Sequence, residues 1–69
     1  MKLSARNLLK GKVKNIHLGE VNAEVTIELP GGAEIVSVIT KASVSSLGLA
    51  LGGTAFAIIK ASNVLIAVD

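Results

Sequence analysis

Cysteine, tryptophan and tyrosine are absent from this 69-residue chain, and phenylalanine, histidine, methionine and proline occur once each. Without thiols there is no disulfide, and a single histidine, His17, gives no donor set for a structural zinc ion. Small domains bury little of their surface and need a staple of some kind. With disulfide and metal excluded, self-association is the expected one. Sites for single-stranded nucleic acid stack bases on aromatic rings. The one ring, Phe56 in "AFAII", is expected to face the core, so nucleic acid is disfavoured. No apolar run approaches the roughly 20 residues that span a bilayer, and no leader-type apolar segment is visible. The expectation is a cytoplasmic protein with no membrane partner.

What is present is aliphatic: hydrophobic residues make up 51% of the chain, so Val, Ile, Leu and Ala must build the core. The net charge is only +2, but it is unevenly spread. Lys2, Arg6, Lys10, Lys12 and Lys14 are five of the seven basic residues, while the acids fall at Glu20, Glu24, Glu28, Glu34 and Asp69. A basic N-terminal segment points to an anionic partner. Lysines that guard a strand edge against aggregation are the alternative for Lys10, Lys12 and Lys14.

"VNAEVTIEL", residues 21–29, alternates apolar and polar without a break and predicts a half-buried strand. "PGG" turns the chain, and "EIVSVIT", residues 34–40, returns as a hairpin partner. Upstream, "LLKGKVKNIHL" is strand-like with a slip of phase between Val13 and Ile16, which a bulge near Asn15 explains. Thr40 can cap a short helix over residues 41–47, with Gly48 at its end. "TAFAIIK", residues 54–60, predicts a fourth strand and "VLIAV", residues 64–68, a fifth. Three strands, a helix and two strands is the order of a five-stranded OB-fold Greek-key barrel. An SH3-like barrel is the runner-up.

Catalysis finds little support. His17 has no triad partner at a recognisable spacing, and the glutamates sit on the polar faces of alternating strands. "GGA" and "GGT" are turns, not phosphate loops. A small oxyanion fits better. "SARN", "TKAS" and "IKASN" each carry hydroxyl or cationic donors at a strand end or junction.

"MKLSARNLLKGKV" resembles the opening of the molbindins, the small Mop-type molybdate-binding proteins. The likeness runs on through "VNAEVTIEL", the strand–helix junction "VITKASVSSLGL", and "AFAIIKASNVLIAV". It covers essentially the whole chain, residues 1–69, as a single Mop domain. Leu8 departs from the family, which usually has Gln there. The resemblance implies an OB-type fold assembled as a homo-hexamer, a trimer of dimers. It implies binding of molybdate, and of tungstate, at subunit interfaces, for molybdenum storage without a cofactor or catalysis. Carried onto this sequence, the principal site comprises Ser4, Arg6, Thr40, Ser43 and Lys60, with Ala5, Ala61 and Ser62 as neighbours. A second class of anion site, near a threefold axis, maps to His17, Gly19, Glu20, Val21 and Asn22. An OB-type nucleic-acid- or protein-binding module, and a purely structural oligomer, stay open as rival readings.

Overall fold

The computed structural model describes residues 1–69. Three strands come first: β1 (Asn7–Leu18), β2 (Asn22–Glu28) and β3 (Glu34–Thr40). A short helix, α1 (Lys41–Ser46), leads to β4 (Thr54–Ile59) and a 3₁₀ turn at Ala61–Asn63. The alternation in β2 works as the pattern requires, with Ala23, Val25 and Ile27 buried between polar neighbours that are exposed or, at Thr26, half-buried. The turn into β3 uses Gly31 and Gly32 at φ +93° and +98°, a region open to glycine and strained for other residues. The bulge is present: the register between β1 and β2 slips between Val13 and Asn15.

The sheet has the order β3-β2-β1-β4, every neighbouring pair antiparallel. β1 serves two partners in succession. Its first half pairs with β4 from Asn7 to Lys12, and its second half pairs with β2 from Lys12 to Leu18. The sheet coils at that handover. Val13, Val25, Ile27 and Ala57 form the core cluster, with Ile16, Ile39, Val44 and Leu49 packed against it. Only 6 of 69 residues are buried, a thin core for a chain with this much apolar surface.

Two expectations need correction. The fifth strand is not formed within the chain, which has four strands. The 3₁₀ turn, with Asn63 N–H donating to the Lys60 carbonyl at 2.9 Å, carries the chain away from the sheet. Residues 64–68 then run without a ladder partner, and Leu65, Ile66 and Val68 are 91%, 85% and 91% exposed. Between the unpaired edges of β3 and β4 lies an apolar groove of about 370 Å³, lined by Ile27, Ile39, Leu47, Leu49, Phe56 and Ile58. Phe56 is the second correction. It stands opposite Lys10 on the outward parity of β4 and is 42% exposed, while its neighbour Ala57 takes the core position. A one-residue step along a strand changes the face.

Candidate functional site

The "SARN" and "IKAS" segments meet at one end of the sheet. Asn7↔Ile59 is the terminal rung of the β1–β4 ladder. The Asn7 side chain reinforces it, its Nδ2 donating to the Ile59 carbonyl at 3.1 Å. Arg6 and Lys60 are the first residues beyond this rung, one on each strand. Ser4 and Ala5 precede Arg6 in the approach to β1, and Ala61 and Ser62 sit in the 3₁₀ turn after Lys60. Arg6 and Lys60 are exposed, and neither has a carboxylate in ion-pairing range, since both ion pairs of the chain belong to Lys14. Two uncompensated cations at one strand end form an anion-receptive corner.

The second group lies at the β3–α1 junction. Thr40 is extended (φ −76°, ψ 153°) and its Oγ1 accepts from the Ser43 N–H at 3.0 Å, a regular N-cap. The Thr40 hydroxyl in turn donates to Ser43 Oγ at 2.8 Å. The Thr40 proton is thereby used, and Ser43 Oγ–H is left as the free donor. Lys41 N–H donates to the Val21 carbonyl at 2.9 Å, fixing the junction to the first hairpin.

Within one chain these two groups are not joined. Arg6 and Lys60 flank the start of β1. Thr40 pairs with Asn22, next to the Leu18↔Ala23 rung at the end of β1. No hydrogen bond links the two corners. His17, Gly19, Glu20, Val21 and Asn22 share the β1–β2 hairpin and are all exposed. Gly19 N–H donates to the Asn22 carbonyl at 2.8 Å, and His17 faces Glu24 in the register. Their side chains do not converge on a common point through any hydrogen bond of the chain.

The structure also sorts the N-terminal cations. Lys14 pairs with Glu34, and with Glu28 at 3.5 Å. The hydrogen bond and charge of Glu34, with the charge of Glu28, hold its ammonium above the ordinary lysine pKa. Lys14 is thus tied to the turn between β2 and β3, whereas Lys10 and Lys12 border an open cleft of about 530 Å³ beside Pro30 and Gly31. Sequence reasoning overlooked Asn7 as a contributor, although it closes the "SARN" motif. No three His, Cys, Asp or Glu residues gather to hold a metal ion, and no helix is long and apolar enough to cross a membrane.

Comparison with known proteins adds to this geometry. The TOBE domain profile matches residues 3–66. A probable molybdenum-pterin-binding protein from Haemophilus influenzae is 49% identical over 69 residues, covering 100% of both chains. The solved structure of MopII from Clostridium pasteurianum superposes with a TM-score of 0.91 at 43% identity, over 97% of this chain and 100% of that one. ModG, a cytoplasmic molybdate-binding protein solved with molybdate bound, superposes with a TM-score of 0.91 at 58% identity. That match takes in 94% of this chain but 46% of ModG. The mostly-β fold with its one short helix, the "SARN" corner and these relatives agree: the chain belongs to the molbindin (Mop) family of TOBE-domain proteins.

Proposed function

We propose that this protein captures molybdate reversibly, and tungstate by the same chemistry, at sites shared between copies of the chain. It acts as an intracellular molybdenum store or buffer and needs neither a cofactor nor a catalytic step. The observation that carries the reading is the pair of uncompensated cations, Arg6 and Lys60, each the next residue beyond the terminal Asn7↔Ile59 rung. Molybdate is a dianion, so two cations balance its charge, and charge-assisted hydrogen bonds are roughly twice as strong as neutral ones. Ser4 and Ser43 add hydroxyl donors, Ser43 with its proton free.

The separation of the two corners within one chain supports an intersubunit site, in which Arg6 and Lys60 of one copy face Thr40 and Ser43 of another. The same logic applies to the barrel. The apolar residues 64–68 lack a partner, and the groove between β3 and β4 lacks a strand. Residues 64–68 of a second copy would complete a five-stranded barrel and cover both. A homo-hexamer built as a trimer of dimers is the assembly in this reading, with the exposed β1–β2 hairpin, His17 to Asn22, at the second anion site. A ligand held between chains also stabilises the assembled state by mass action.

Titration calorimetry with molybdate at neutral pH tests the proposal, with sulfate and phosphate as controls. Saturable binding of molybdate is expected, and Arg6→Ala or Lys60→Ala should weaken it by about 10- to 100-fold, the range for a lost charge-assisted hydrogen bond. Absence of heat from molybdate, or equal binding by the variants, would refute it. One observation favours a second reading, an OB-type nucleic-acid or protein module: the exposed Phe56 lies beside Lys10. Salt-sensitive oligonucleotide binding without a molybdate response would support that alternative.

A further inference from the structure

We infer that Asn7 is a positioning residue for the anion site: it sets the spacing of Arg6 and Lys60 without touching the anion. The inference rests on the anion-binding reading above. Arg6 and Lys60 belong to chain segments that are not strands. What fixes them relative to each other is the last rung of the ladder, and that rung is double. Asn7 and Ile59 are register partners, and the Asn7 amide adds a side-chain bond to the Ile59 carbonyl at 3.1 Å, across 52 residues of sequence.

The bond sits where its effect on Lys60 is greatest. The Ile59 carbonyl belongs to the peptide unit that leads into Lys60, and the next carbonyl, that of Lys60 itself, accepts from Asn63 N–H at 2.9 Å. The Lys60 backbone is therefore gripped on both sides, while its ammonium stays free of any carboxylate. On the opposite strand Arg6 is bonded directly to the residue that supplies the amide. Asn7 is half-buried, and its amide bond adds the modest net worth of one hydrogen bond to the closed form of the rung. A preset backbone spacing spares the anion the cost of bringing the two segments together, which leaves only the side chains to order.

The test compares Asn7→Leu and Asn7→Ala, which both lose the donor, with Asn7→Gln, which keeps an amide. Each is made in the wild-type and Lys60→Ala backgrounds. Molybdate affinity is read by calorimetry, and backbone amide exchange is followed over residues 60–64. The expected result is about a tenfold loss of affinity for Asn7→Leu and Asn7→Ala, substantial recovery in Asn7→Gln, and faster exchange at Asn63. In the Lys60→Ala background the loss from Asn7→Leu should vanish, because there is no longer a pair to align. Equal losses in both backgrounds would mean a general structural effect and would overturn the inference, as would wild-type affinity in Asn7→Leu. If Asn7→Leu does not fold, Asn7→Ala carries the same comparison. Should wild-type, Arg6→Ala and Lys60→Ala all ignore molybdate, the anion-binding reading fails. Unchanged exchange at Asn63 in the Asn7 variants would instead remove the positioning role alone.

Discussion

Gly11 lies against the backbone of Glu28: a Cβ built on Gly11 would stand 2.5 Å from the Glu28 carbonyl oxygen and 2.6 Å from Ile27 Cγ2. Gly11 is one of the few buried residues, at the point where β1 passes from β4 to β2. The close approach lets the sheet coil tightly enough to place β4 across the core. Gly11→Ala has to push a carbonyl and a branched side chain apart. A loss of about 1–3 kcal/mol is expected, the usual range for overpacking, in urea unfolding at fixed protein concentration. A change under about 0.5 kcal/mol would show that the coil yields without strain.

Thr40 caps α1 and, in the proposed anion site, would also face the ligand; substitution can separate the two. Thr40→Val removes the oxygen that accepts from Ser43 N–H and should lower stability by about 0.5–2 kcal/mol. Thr40→Asp keeps a good capping acceptor but puts a negative charge beside Ser43. Its melting temperature should stay near that of the wild type while molybdate binding is lost. Retained binding in Thr40→Asp would place the anion elsewhere.

Lys14 yields a pH signature. Glu34 and then Glu28 favour its charged form, so it titrates above the ordinary lysine value of about 10.4. Its stabilising effect is complete at neutral pH and up to the unfolded-chain pKa, and disappears as pH rises through the folded-state value. The effect is small, because the group is exposed. Thermal melts of wild type and Lys14→Met should therefore differ by a constant amount from about pH 7 to 9 and converge above about pH 10.5. A gap that survives at higher pH would assign the difference to the lysine stem instead of its charge.

The residues 64–68 provide a test of assembly. Leu65 and Ile66 are exposed and have no partner in the chain. The double variant Leu65→Lys, Ile66→Lys places two charges in a segment that needs an apolar groove. Sedimentation velocity should report a smaller species than the wild type, with weaker molybdate binding alongside. An unchanged sedimentation coefficient would exclude this segment from the interface.

How much of this was legible in the sequence depends on range. Local signals were read correctly: the alternation of Ala23, Val25 and Ile27, the bulge at Val13/Asn15, the cap at Thr40 and the helix end at Gly48 all depend on near neighbours. "VLIAV" carried the apolar content of a strand, but a strand also needs a free edge, and the pattern does not say whose edge it is. Phe56 went astray for the opposite reason: in the run "AFAII" every residue is apolar, so the alternation that would reveal its face is missing. The placing of Arg6 and Lys60 at the same end of the sheet was accessible only through resemblance, since segments so far apart in sequence are brought together only by the completed β1–β4 register.

The Asn7–Ile59 rung also orders events during synthesis. The β1–β2–β3 meander joins sequential neighbours and has everything it needs once about residue 40 has emerged, whereas β1 must wait for β4 before its first half finds a partner. Contacts of such separation form late, because loop closure comes before any reward. A nascent chain that has reached only residue 40 can therefore own the three-stranded meander and still lack the Asn7–Ile59 rung, which waits for β4.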